Sequence, residues 1–161
     1  MHVGKFKDQK RHDILIKSYA KSNIKEKLVL VGQGPLEEKS RDLVKKLNIK
    51  DKVIFSGFQN NPYPYMKNAK FMVLSSEFEG LGMVILESLA LNTPVISTDC
   101  NSGPREILPK KNLTPVNDVN ALALRISDAS NNTINYSCNI RKEFLLENVV
   151  KEYIKLTCNT M

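Results

Sequence analysis

Lys70-Phe71-Met72-Val73-Leu74-Ser75-Ser76-Glu77-Phe78-Glu79-Gly80-Leu81-Gly82-Met83-Val84-Ile85-Leu86-Glu87-Ser88-Leu89-Ala90-Leu91 decides the fold. Its first six residues form a short apolar run bounded by serines, the pattern of a buried strand. A Gly-x-Gly turn follows, and then an apolar segment from Met83 to Leu91. A helix that is apolar on most sides is expected to be buried. Glu87 sits inside it, and a buried carboxylate is costly unless something hydrogen-bonds it. Strand, glycine turn and helix make one unit of a parallel α/β sheet.

The same alternation runs outward in both directions. Lys27-Leu28-Val29-Leu30-Val31-Gly32, Lys52-Val53-Ile54-Phe55-Ser56 and Pro94-Val95-Ile96-Ser97-Thr98 read as further buried strands. Helical spacing appears over Lys10–Ser22 and over Pro35–Asn48, with Pro35 at a plausible first helical position. Pro62–Ala69 reads as a short turn or helix. Asp118–Ala129 and Arg141–Thr157 read as two closing helices, the second with an apolar stripe of Phe144, Leu145, Val149, Tyr153 and Ile154. Ser130–Asn139 is polar and reads as an exposed loop. The fold expected is a single α/β domain, a Rossmann-like parallel sheet with helices on both faces. Met1-His2-Val3-Gly4 gives barely half a strand at the start. Either that strand is short or something upstream is missing.

Composition narrows the function. The 161 residues are 42% hydrophobic, ordinary for one globular domain. No apolar run reaches the ~18 residues of a membrane span, and the charged N-terminus has no signal-peptide core. Three scattered cysteines (Cys100, Cys138, Cys158) fit neither a disulfide framework nor a zinc site, so a cytoplasmic setting is expected. The net charge of +7 suits nucleic acid, anionic headgroups or phosphorylated substrates, or is simply a solvated lysine-rich surface. No recognition helix, RNP-type strand or C2H2 spacing supports nucleic acid. A P-loop, a Gly-x-Ser-x-Gly elbow and a Cys/His nucleophile pair are also absent. His2 and His12 lack metal spacing and read as surface or helix-end residues.

In an open parallel sheet, ligands bind outside the carboxyl ends of the strands. The loops expected there are 4–11, 32–35, 57–61, 75–82 and 99–105. Gly80-Leu81-Gly82 opens into a helix N-terminus, whose N–H groups favour an anion. Glu79 precedes that turn, and Glu87 lies about 6 Å along the helix behind it. Carboxylates beside an anion suit hydroxyls, which a sugar and a ribose supply as charge-assisted donors. Lys5 and Lys10 supply cations for a diphosphate. The ligand that fits all of these groups is a nucleotide sugar. Gly32-Gln33-Gly34 lacks the third glycine of a dinucleotide fingerprint and reads as a turn, with a ligand-edge contact as the other reading. Pro62-Tyr63-Pro64-Tyr65 reads as turn and packing, or as a stack for a base.

These residues resemble the donor-binding, C-terminal half of the group 1 glycosyl transferases, retaining enzymes of GT-B architecture. The segments that carry the resemblance are Val3–Lys10, Leu28–Leu36, Val53–Phe58, the Glu-x7-Glu pair Glu79 and Glu87, Thr93–Ile96 and Gly103–Ile107. The resemblance implies that residues 1–161 form one half of a GT-B glycosyltransferase, with the acceptor-binding N-terminal domain absent from the chain or supplied by a partner chain. It implies catalytic roles for Lys5, Lys10 and Glu79, the lysines neutralising the leaving diphosphate and Glu79 contacting sugar hydroxyls. Nucleotide-sugar contacts would come from Gly4, Gly32, Gly57, Phe58, Gly80, Leu81, Gly82, Met83 and Glu87, with Glu87 on the ribose diol. The donor would be UDP- or GDP-linked, with no metal and no cofactor. The full enzyme would act in cell-envelope polysaccharide, capsule or lipopolysaccharide synthesis, in the cytoplasm or peripherally at the inner face of the cytoplasmic membrane. A catalytically inactive interaction module and a related nucleotide-sugar epimerase are the alternative readings. The sequence departs from the family pattern at Lys5, where arginine is usual and forks better, and at 108–118, which is shorter than the family's glycine-containing hairpin.

Overall fold

The computed structural model describes residues 1–158, with side chains described through residue 155. Six short strands alternate with helices. They are β1 (His2–Val3), β2 (Leu28–Val31), β3 (Val53–Gly57), β4 (Met72–Leu74), β5 (Val95–Thr98) and β6 (Leu113–Thr114). The α-helices are α1 (His12–Ser22), α2 (Glu37–Lys46), α3 (Tyr63–Lys67), α4 (Met83–Ala90), α5 (Pro104–Ile107), α6 (Val119–Asn131) and α7 (Leu146–Cys158). All strand pairs are parallel, in two ladders ordered β1-β2-β3 and β4-β5-β6. Met1 joins the ladders: its nitrogen donates to Phe71 O (2.9 Å) and its carbonyl accepts from Val73 N (2.9 Å). That is one rung of a parallel ladder. The spatial order is therefore β3-β2-β1-β4-β5-β6, with the direction of winding reversing between β1 and β4.

The period-two alternation of strand side chains builds a core on each face. On β4 and β5, Val73 and Ile96 pack with Ile14, Leu15, Leu122 and Ile126 of α1 and α6. Their neighbours Met72, Leu74 and Val95 face the other way, onto Met66, Ile85, Leu89 and Ile107 of α3, α4 and α5. Asp118 caps α6, its Oδ1 accepting from the backbone of Asn120 and Ala121 at 2.9 Å each.

Several expectations need correction. Helix α2 begins at Glu37, so Pro35 precedes it. Helix α4 is not buried all round: only Ile85, Ser88 and Leu89 are buried, while Met83 is 59% exposed. Its outer side faces the carboxyl end of the sheet, where an apolar side chain has nothing to cover it. His2 and His12 are buried, not superficial, because His12 stacks on Phe6 (ring centroids 4.1 Å apart) and meets His2 edge-on at 4.7 Å. The 130–139 segment is not a plain loop. Its Tyr136 is buried and its hydroxyl donates to Asp128. Helix α7 is amphipathic as expected, but it does not close the core. Phe144 just ahead of it packs inward, whereas Leu146, Val150, Tyr153 and Ile154 are exposed. Cys100 and Cys138 are free thiols, and the Cys158 side chain lies outside the described residues. Among the described residues, no helix is long and apolar enough to cross a membrane.

Candidate functional site

The reversal between β1 and β4 puts two loops side by side at the carboxyl end of the sheet. These are 4–11 after β1 and 75–82 after β4. Backbone and side chain fasten them together. Glu77 N donates to Gln9 O (2.9 Å), Gln9 Nε2 to Phe78 O (2.7 Å) and Ser75 Oγ to Lys10 O (2.8 Å). Across the same seam Lys10 Nζ meets Glu79 Oε1 at 2.6 Å, and Ser76 Oγ donates to that oxygen at 2.6 Å. Lys10 and Glu79 are thus not two independent groups facing a ligand. They form a largely buried ion pair whose side chains are only 15% and 8% exposed.

The turn beyond Glu79 is held from behind. Gly82 (φ +74°) takes the left-handed conformation that starts α4. Gly103, also left-handed at φ +67°, lies so close that a Cβ there would stand 2.3 Å from Gly80 O and 2.8 Å from Leu81 O. Ser102 Oγ donates to Glu79 O, and Gly103 N donates to Glu106 Oε1 at 3.1 Å. Ser76, Ser102 and Gly103 therefore shape the site, and the sequence reading had not given them that role. The Gly103-Pro104 pair was the available signal, a flexible residue directly before a helix start.

Glu87 projects from α4 behind this turn. It is half-buried, and its carboxylate makes no hydrogen bond or ion pair with any described residue. The carboxylate that most needs a partner on sequence grounds has none among the described residues. Lys5 is exposed and likewise unpaired among the described residues.

The first loop is braced from β2. A Cβ at Gly32 would fall 2.1 Å from Gly4 O, and one at Gly34 would fall 2.5 Å from Phe6 O. Phe6 N donates to Gln33 O at 3.1 Å. The Gly-x-Gly pair thus lets two backbones touch. Beside this contact lies a cavity of about 390 Å³ lined by Gly4, Lys5, Gly32, Gln33, Phe58 and Gln59, with the Phe58 ring 62% exposed. Gly57, at φ +66°, turns the chain out of β3 toward it. A second cavity of about 390 Å³ holds Lys7, Arg11, Lys39 and Glu77. A larger cavity, about 610 Å³ and mostly apolar, opens beneath Met1 at the amino ends of the strands, away from every candidate site residue. Size does not identify the site here, because the polar groups converge at the opposite end.

Two buried groups beneath the first loop are strongly shifted. Burial holds His2 down to about 4, opposed by its contact with the Val73 carbonyl at 2.8 Å. A carbonyl only accepts, so Nδ1 carries the hydrogen. Burial holds His12 down to about 2, helped by His2 and Lys10. Both rings are neutral at ordinary pH. Among the described residues no cluster of three or more His, Cys, Asp or Glu could hold a metal ion.

The sequence profile of the family described as Glycosyl transferases group 1 matches residues 1–144. The chain belongs to that family. A Campylobacter jejuni relative, N-acetylgalactosamine-N,N'-diacetylbacillosaminyl-diphospho-undecaprenol 4-alpha-N-acetylgalactosaminyltransferase, is 42% identical over 107 residues, which cover 66% of this chain and 29% of the relative. The lipopolysaccharide outer core galactosyltransferase WaaB superposes with a TM-score of 0.87 at 24% identity, covering 99% of this chain and 48% of that one. Anabaena HepE, solved in complex with UDP, superposes with a TM-score of 0.76 at 22% identity, covering 84% of this chain and 39% of HepE. At those identities the two structures establish the fold. The chain spans 29–32% of the length of three curated relatives, the Campylobacter jejuni enzyme among them.

Proposed function

We propose that this chain is the nucleotide-sugar-binding domain of a retaining glycosyltransferase, working with an acceptor-binding domain or partner chain. The observation that carries the proposal is Glu87, a half-buried carboxylate without a partner among the described residues, set behind the glycine turn where two loops meet. A ribose diol supplies two hydroxyl donors to such a group. The N–H groups at the start of α4 take the diphosphate, with Lys5 as its free cation. The base enters the cavity beside Phe58.

Glu79 and Lys10 act as a unit. Sugar hydroxyls reaching Glu79 share it with Lys10, and charge growing on the leaving diphosphate draws the Lys10 ammonium toward it. These groups stabilise the charge that develops, so catalysis needs no side-chain nucleophile. Transfer with retention, the leaving phosphate assisting the acceptor's deprotonation, is compatible with this arrangement. So is chemistry without a metal or other cofactor. Relatives named for envelope glycans support a role in polysaccharide or lipopolysaccharide synthesis, and the site of action we propose with it is the inner face of the cytoplasmic membrane.

Titration calorimetry with UDP- and GDP-sugars tests the reading. Binding is expected for one base class, and Glu87→Ala should weaken it by about tenfold or more, the loss of a charged hydrogen-bond acceptor. A folded protein that gives no heat with any nucleotide sugar would refute it.

A further inference from the structure

The cavity of about 610 Å³ beneath Met1 lies in the plane of the sheet, between β2 and β4. Leu28 and Val29 wall it on one side and Lys70 and Phe71 on the other, while Tyr19 of α1 and Tyr65 of α3 bound it from the two faces. Strand β1 pairs with only the second half of β2, His2 opposite Leu30 and Val3 opposite Val31. Strand β3 pairs with β2 from Leu28 onward. Successive strand residues turn their backbone groups to alternate neighbours. Val31 O accepts from Gly4 N at 2.9 Å, so Val29, two residues back, also faces the β1 side. Phe71 faces it from β4, its carbonyl accepting from Met1 N at 2.9 Å. The N–H groups of Val29 and Phe71 therefore point into the cavity, and neither finds an acceptor among the described residues. Two strands that each offer an open backbone edge across an apolar slot form a template for a third.

We propose that this slot is a docking site for the carboxyl-terminal strand of a partner polypeptide, added between β2 and β4 in line with β1. Running parallel to both, the strand arrives with its carboxyl end against Met1 N and stops there. Its last residue continues the alternation of His2, which meets His12 of α1, so its side chain enters the face of Tyr19 and its backbone meets Val29. The residue before it continues the alternation of Met1 and Val3, which pack toward α3 and α4, so its side chain enters the face of Tyr65 and its backbone meets Phe71. Both side chains are apolar, as in any parallel strand covered on both faces. Lys27, exposed at the mouth and unpaired among the described residues, favours an acidic residue ahead of them. At the closed end, burial holds the Met1 ammonium down to about 5, and a carboxylate beside it offsets that cost. The slot opens at the amino ends of the strands, so this inference is independent of the nucleotide-sugar reading.

The probe is an acetylated hexapeptide of two glutamates, a threonine, a valine, an isoleucine and a valine, with a free carboxyl end. Bound to the wild-type chain, it should slow hydrogen exchange at the Val29 and Phe71 amides, followed by NMR, at least about tenfold. Proline in place of its isoleucine removes the N–H that meets β4 and should weaken binding at least about tenfold. Unchanged exchange at those two amides with roughly millimolar peptide would overturn the proposal. So would equal binding of the proline peptide, which would make the slot a general apolar cavity. Either failure leaves the calorimetric test with nucleotide sugars untouched, because that test reads the opposite end of the sheet.

Discussion

At the scale of single residues, His2 and His12 make the fold pH-sensitive from beneath the first loop. Folded, they resist protonation down to about 4 and about 2. Unfolded, they take up protons near 6.5. Their contribution is therefore complete above pH 6.5 and is lost as the pH falls through the window between those values. By pH 5 the loss is of order 2 kcal/mol per ring. Urea midpoints at pH 7, 6 and 5 should fall in step, and His12→Phe should flatten the slope while keeping the stack on Phe6. Nothing in the spacing of two histidines ten residues apart signals this. Their burial comes from β1 and α1 meeting, with the two rings edge to face and Phe6 stacked on His12. Two glycines of the site make a matching pair. Gly103→Ala would drive a Cβ against Gly80 O in a positive-φ position and should cost about 2 kcal/mol or more. Gly80→Ala meets nothing within 4 Å and should be nearly neutral. Thermal melts of the two variants check this.

At the scale of elements, the strands are legible because parallel strands buried on both faces are continuous apolar runs, as in Leu28–Val31 and Met72–Leu74. Strand β6 and helix α5 were missed for a physical reason. Leu113–Thr114 and Pro104–Ile107 are too short to carry a period and are fixed by tertiary contact instead. For β6 the contact is pairing with β5, and for α5 it is the Gly103 turn. Helix α4 was overread because composition alone cannot tell a buried face from one that borders a cleft. Helix α7 shows the converse limit: a clear apolar stripe need not be covered in the chain that bears it. Chemical denaturation separates the two helices. Ile85→Ala, from the fully buried inner side of α4, should cost about 3 kcal/mol. Leu146→Lys and Tyr153→Lys on α7 should stay within about 0.5 kcal/mol.

At the scale of the molecule, the site follows from topology. The carboxyl-end loops expected from the sequence are the ones that converge, and Glu79, Gly80, Gly82 and Glu87 stand where the alternation of strand and helix places them. What topology could not reveal was that Lys10 and Glu79, 69 residues apart, would be bound to each other. Removing one member of a largely buried pair strands the other charge. Lys10→Ala should therefore lower stability by about 3 kcal/mol, a loss that a solvated surface lysine would not produce. Urea unfolding of that variant measures the difference.

The fastening of Gln9 and Lys10 to Ser75, Glu77, Phe78 and Glu79 also bears on the kinetics of encounter. On the nucleotide-sugar reading, donor arriving at this seam meets two loops already tied to each other. Ordering of this seam is then no part of the cost of binding, and under that reading differences in affinity among donors are expected in how long each one stays.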